Sequence, residues 1–160
     1  ARERPRCELT ATDSSAAALA IARENARVLG VKNISFAAGP WGQALETRCF
    51  DMILSNPPYI RADDLHLAEG DLIAEPRQAL VSGHDGLDDI RQIITDSTTC
   101  LKPDGWLLLE HGYDQAAEVA DLLQHVDFTE VFSQKDYRGN DRVTGGRRQF
   151  EGEGGKGTKD

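Results

Sequence analysis

A chain of 160 residues suggests one domain with enough mass for a real core. It carries 18 Lys+Arg against 27 Asp+Glu, a formal net charge of −9, and this argues against nucleic acid as a partner, because such binding rests largely on phosphate neutralisation. No apolar run is long enough to span a bilayer and no secretion signal is visible, while Cys7, Cys49 and Cys100 show neither zinc spacing nor an even count, so a cytoplasmic protein with reduced thiols is expected.

In chain order, Glu8 to Thr12 reads as a short strand ending at Asp13. Asp13, Ser14 and Ser15 then offer N-cap chemistry. Ala18, Ile21, Ala22, Ala26 and Leu29 follow with helical spacing, and Gly30 suits the C′ position. Ile34 to Ala37 and Phe50 to Ser55 read as the second and third strands. Residues 61–84 are polar and irregular, a stretch long enough to be functional. Leu87, Ile90, Ile93, Ile94 and Leu101 mark a second helix, with Lys102-Pro103-Asp104-Gly105 predicted as the turn that closes it. Trp106 to Leu109 is an apolar strand ending at Glu110, and Gln115 to Val126 a third amphipathic helix. Thr129 to Ser133 and Val143 to Phe150 are the last two strands, with Gly145-Gly146 read as part of a turn. Residues 151–160 are rich in glycine and charge and are expected to be a disordered tail. Strands alternating with helices predict an α/β fold with a mostly parallel sheet covered on both faces. Two consecutive strands at the end predict an antiparallel hairpin at one edge.

Asn56-Pro57-Pro58-Tyr59 directly follows the third strand. The Asn56 side-chain oxygen and the Pro57 carbonyl can each accept one hydrogen of a planar NH2 group. The prolines stiffen the loop and hold back no donor, and Tyr59 supplies a flat wall. An amide or aromatic amine nitrogen is a poor nucleophile because its lone pair is delocalised. Two acceptors on its hydrogens favour a more reactive geometry, and a sulfonium methyl is the electrophile that suits it. Such catalysis works by orientation and electrostatics, without a strong base. The position, at a strand end of an α/β fold, is where such folds bind ligands; the plain alternative is a proline-rich turn.

With these residues in view the chain resembles the HemK/PrmC family of class I S-adenosylmethionine-dependent methyltransferases, which methylate a glutamine side-chain amide in peptide-chain release factors. The pieces that carry the resemblance are Thr10-Ala11-Thr12-Asp13, Ile53 to Ile60, Glu75-Pro76 with Ala79-Leu80, Leu107 to Gly112, and Asp136-Tyr137 with Asp141-Arg142. It implies a Rossmann-like sheet, S-adenosyl-L-methionine as cofactor and a release factor as protein partner. It also implies that Asn56, Pro57 and Tyr59 are catalytic, and that Asn56, Pro57, Pro58 and Tyr59 bind the substrate. Asp13, Trp41 and Asn56 would bind the cofactor, Asp13 through the ribose hydroxyls and Trp41 beside the adenine. Asp13 equally suits a helix cap and Trp41 an ordinary buried position. Glu75 would shape the substrate entrance. His111 and Glu110 read as structural, and His66, His84 and His125 show no metal-ligand pattern, so no metal is expected.

The family's first strand and Gly-rich loop have no counterpart ahead of Asp13. The expectation is therefore a catalytic domain over residues 1–150 that is the C-terminal portion of a longer methyltransferase, binding cofactor weakly or not at all by itself. Two alternatives stay open: an enzyme methylating the amino group of adenine or cytosine, since the same loop can grip a flipped base, and a non-catalytic remnant that keeps the fold.

Overall fold

Ser15 starts the first helix because its hydroxyl accepts from the Ala18 amide at 3.2 Å, satisfying one of the free N–H groups of the first turn. In a computed structural model, which describes residues 1–45, 50–68 and 76–149, the chain divides into two compact units, Ala1–Thr47 and Arg48–Asp160.

The first unit is a strand–helix–strand. Strand β1 (Leu9–Asp13) leads through helix α1 (Ala16–Val28) to strand β2 (Ile34–Ala38), which pairs with β1 in parallel from Leu9↔Ile34 to Asp13↔Ala38. Gly30, at φ 65, ends α1 as expected. Its amide donates to Arg27 and the Val31 amide to Ala26, the paired bonds of a Schellman motif. A short 3-10 turn, Trp41–Ala44, follows β2.

The second unit holds strand β3 (Phe50–Ser55), helix α2 (Asp88–Cys100), strand β4 (Leu101–Glu110), helix α3 (Ala116–Gln124) and strands β5 (Phe128–Lys135) and β6 (Asp141–Arg148). The sheet order is β3-β4-β6-β5, with β3 and β4 parallel and the other two pairings antiparallel. The predicted hairpin at the edge is therefore present. Its turn is closed by Asp136, whose Oδ1 accepts from the Arg138 and Asn140 amides at 2.8 and 3.0 Å.

Two expectations are corrected. Lys102-Pro103-Asp104-Gly105 is not a turn closing α2 but the first half of β4. The register passes from Phe50↔Leu101 to Met52↔Trp106, and this bulge accommodates Pro103, which cannot donate to a ladder, and Asp104 at φ 64. Gly145-Gly146 lies inside β6, paired with Leu107 and Leu108 of β4. A Cβ on Gly145 would stand 3.0 Å from the Leu107 carbonyl oxygen and 3.1 Å from the Phe132 ring, so the pair serves close strand packing and not a turn. Residues 46–49, 69–75 and 150–160 lie outside the described residues, and with them Cys49, Glu75, Phe150 and the expected tail.

The core of this unit follows from two stripes. Ile90, Ile93 and Ile94 of α2 and Val119 and Leu123 of α3 are buried, as are Leu107 and Leu109 of β4. Each such side chain contributes about 1.5–3 kcal/mol on burial. Among the described residues no helix is long and apolar enough to cross a membrane.

Candidate active site

Ser55 ends β3 opposite Leu109 of β4, so Asn56 emerges at the carboxyl end of a parallel strand pair. Asn56 is exposed, Pro57 buried, and Pro58 and Tyr59 half-buried. Neither proline carries an N–H, so the chain leaves the sheet here without abandoning a donor. The Tyr59 hydroxyl donates to Glu110 Oε1 at 3.4 Å. Burial pushes the phenol above its ordinary range, the Glu110 carboxylate adds to this, and the Arg142 guanidinium opposes it. At neutral pH Tyr59 is thus a protonated wall and donor. Arg142 is itself held between Asp136 at 3.6 Å and the His111 carbonyl, to which Nη1 donates at 3.0 Å.

The backbone after the motif is fixed on both sides. The Ile60 amide donates to Leu80 (2.9 Å), Ser82 to Ile60 (3.0 Å) and Ala62 to Gly83 (3.0 Å), a short parallel bridge between Ile60 and Val81. The Ser82 hydroxyl then accepts from the Asp89 amide at 2.7 Å in the first turn of α2. On the other side stands Gln115, 3% exposed. Its Nε2 donates to the Tyr59 carbonyl at 3.1 Å and to the Asp85 carbonyl at 3.3 Å, and its Oε1 accepts from the Gly112 amide at 2.8 Å. Gly86, at φ 78, packs against this junction.

His111 is fully buried. Its Nδ1 lies 2.8 Å from the Gly112 carbonyl, which can only accept, so Nδ1 carries a proton. Nε2 meets the Thr144 hydroxyl at 2.8 Å, and Thr144 meets Ser133 at 2.8 Å. Both ring nitrogens are thus engaged in structure, in keeping with the structural reading of this histidine. An open cavity of about 500 Å3 is lined by Arg61, Asp85, Leu87, Arg91, Gln115, Glu118 and Leu122, among others. Arg91, 2.5 Å from Asp85, holds that carboxyl down at about 2.

In the first unit, Asp13 closes β1 and is exposed. Its Oδ1 accepts from the Ser15 amide at 2.7 Å, and its carbonyl accepts from the Gly39 amide. Ser15, not Asp13, caps α1. Trp41 follows the end of β2, half-buried, with φ 41. Since Asp13 pairs with Ala38, both residues stand at the carboxyl end of one parallel pair. The fold thus brings Asp13 together with Trp41 on one unit, and Asn56, Pro57, Pro58 and Tyr59 together with Glu110, Gln115 and Arg142 on the other. Gln115 left one mark in the sequence. It stands four residues before Val119 and eight before Leu123, a polar group on an apolar stripe. Arg142 stands in the Asp141-Arg142 pair that carries part of the resemblance, but nothing local shows which strand end it will face. No group of acidic, His and Cys side chains suited to a metal occurs among the described residues.

Residues 1–144 match the family described as Methyltransferase domain. The chain belongs to that family. It is 48% identical over 145 residues to the release factor glutamine methyltransferase of Xylella fastidiosa strain Temecula1, a match covering 91% of this chain and 53% of that protein. It is also 48% identical over 147 residues to the release factor glutamine methyltransferase of Pseudomonas aeruginosa, covering 92% and 53%. The chain therefore spans about half the length of the curated relatives it matches. Among solved structures, a methyltransferase from Pyrococcus furiosus superposes with a TM-score of 0.67 at 17% identity, over 93% of this chain and 68% of that one. That likeness supports the α/β methyltransferase fold.

Proposed function

We propose that this chain carries the amide-gripping part of an S-adenosylmethionine-dependent methyltransferase that modifies a glutamine side chain of a peptide-chain release factor. The observation that carries the reading is Asn56-Pro57-Pro58-Tyr59 at the carboxyl end of β3, with Asn56 exposed and Tyr59 locked from behind by Glu110 and Gln115. Its support from outside the molecule is the name shared by relatives 48% identical to it.

Asp13 and Trp41 suit the ribose and adenine parts of the cofactor. Asp13 offers an exposed carboxylate, an acceptor for vicinal ribose hydroxyls, and one of its oxygens is pinned by the Ser15 amide so that the group does not swing. Trp41 offers an aromatic face for a purine. When bound, S-adenosylmethionine supplies an electrophilic methyl on a sulfonium sulfur. Asn56 Oδ1 and the Pro57 carbonyl would accept hydrogen bonds from the two N–H groups of the substrate carboxamide and orient its nitrogen lone pair, and the proton that the nitrogen gives up on methylation would leave to solvent. Pro58 and Tyr59 keep the amide flat against a dry wall. Catalysis then consists of orientation and of stabilising charge on the nitrogen's hydrogens. No side chain with the reach and basicity of a general base is required, and Tyr59, with its raised pKa, is a poor one.

The setting is the cytoplasm, where release factors act, and the negative net charge disfavours nucleic acid as substrate. The test uses the full-length protein with isotopically labelled S-adenosylmethionine, offered a release factor or single- and double-stranded DNA and RNA. Label on a glutamine Nε, located by fragmentation mass spectrometry, is expected. Label on nucleic acid alone would overturn the reading.

A further inference from the structure

We infer that Gln115 is the positioning residue of the amide-gripping loop: its carboxamide sets the height of the Tyr59 carbonyl, and through it the direction in which Asn56 and Pro57 present their oxygens. The inference deepens the glutamine-methylation reading and rests on it.

The geometry is unusually complete for one side chain. Both amide hydrogens are used, on Tyr59 at 3.1 Å and Asp85 at 3.3 Å, and the oxygen is used on the Gly112 amide at 2.8 Å. The three partners come from two connections: Tyr59 and Asp85 from the opposite ends of the one between β3 and α2, and Gly112 from the one between β4 and α3. The orientation of the amide is forced. Turned over, it would set its oxygen against two carbonyl oxygens and its NH2 against an N–H, and none of these pairs can bond. The side chain is also rooted at both backbone ends, since the Gln115 amide donates to Gly112 and its carbonyl accepts from Val119 in the first turn of α3. A hydrogen-bonded plate with no rotational freedom thus sits directly behind Tyr59.

Only the residues in front of Gln115 touch the substrate amide, so its influence runs through the peptide unit of Tyr59. Losing two donors would free the Tyr59 carbonyl to seek solvent and let Pro57 and Asn56 drift. A shift of an ångström at the reacting group costs about 100-fold in rate.

The experiment is Gln115→Glu in the full-length protein, which keeps size and the acceptor for Gly112 but replaces both donors with a carboxylate. The expected result is a kcat for glutamine-peptide methylation lower by about 10- to 100-fold, with KM for S-adenosylmethionine within about twofold of wild type. Amide hydrogen exchange in the peptide containing Ile60 and Ser82 should rise in the same variant. An unchanged kcat, or a loss confined to KM for the cofactor, would overturn the inference while leaving the methylation reading intact. If the wild-type protein methylates no glutamine yet the exchange still rises, the functional reading falls and the loop-positioning role stands. Should the variant not fold, the wild-type Gln115 side-chain NH2 signals decide the matter by nuclear magnetic resonance. Slow exchange is expected, and exchange as fast as that of an exposed glutamine overturns the assignment.

Discussion

Gly86 is the position where the site's architecture can be weighed most cleanly. It sits at φ 78, in the left-handed region, and a Cβ built on it would lie inside contact distance of the Tyr59 carbonyl oxygen and 2.7 Å from Gln115 Nε2. Gly139, in the β5–β6 turn of the same unit, has a similar φ of 88, but a Cβ there would meet nothing within 4 Å. Alanine at either position adds backbone strain of about 1–2 kcal/mol. At Gly139 that is the whole cost. At Gly86 the new methyl also forces apart two groups that are hydrogen-bonded to each other, adding about 1–3 kcal/mol of overpacking. The displaced Tyr59 carbonyl then loses part of its bond in a half-buried setting, about 1 kcal/mol more. Gly86→Ala should therefore exceed Gly139→Ala by about 2–4 kcal/mol. Equilibrium urea unfolding followed by tryptophan fluorescence measures the difference. With a slope of about 2 kcal/mol/M, it appears as a midpoint about 1–2 M lower at unchanged slope. Midpoints of the two variants within about 0.3 M of one another would refute the steric argument, and with it the claim that Gly86 is the floor on which the Tyr59–Gln115 bond rests.

Three further outcomes follow from the same geometry. Asn56→Ala should lower methyl transfer by about 100-fold, as for removal of one oriented polar group from a reacting centre, while calorimetric affinity for S-adenosylmethionine changes far less; equal losses in both would contradict its place on the substrate amide. Burial and Glu110 both raise Tyr59, so Tyr59→Phe should remove signal from the alkaline limb of the phenolate absorbance titration, and an unchanged alkaline limb would contradict the shift. A raised folded-state value means the native state holds the proton longer, so the corresponding stability is complete below about pH 10 and declines as pH climbs toward the folded value. Thr144→Val keeps shape but removes the hydroxyl between His111 and Ser133; it should cost about 1–3 kcal/mol in urea unfolding, whereas Thr129→Val, on an exposed position, should stay within about 0.5 kcal/mol.

Much of the architecture was legible because it rests on local rules. The α1 boundaries follow from Ser15 and Gly30, and β3 from six residues that end where two prolines forbid further pairing. The Lys102-Pro103-Asp104-Gly105 segment was not legible. Its composition is that of a turn, and only the pairing of Leu101 with Phe50 makes it a strand with a bulge, a contact 51 residues away in sequence. Gly145-Gly146 failed for the same reason: the demand for small residues comes from Leu107 and Phe132, which no local pattern announces. For the candidate site, Asn56 to Tyr59 stood out in the sequence because four consecutive residues can supply stiffness, acceptors and a wall together. Glu110 and Arg142 could not be joined to Tyr59 in advance, since their meeting depends on β4 lying between β3 and β6.

The division of labour among polar residues then has a simple physical basis. Ser82, His111, Gln115 and Thr144 are each 3% exposed or less, and each has its hydrogen bonds made within the protein. A polar group so deeply placed would be costly without partners, so its partners are fixed, and what it does is hold loops. Asn56 and Asp13 are exposed at strand ends, where water can be exchanged for a ligand without breaking the fold. The first group makes the second useful. An exposed carboxamide on a slack loop would spend its ordering entropy each time it met a substrate, whereas one carried on Pro57-Pro58 and fastened behind Tyr59 has already spent it on folding. The stiffness that the proposed amide-orienting role asks of this loop is therefore set by the buried residues at its back.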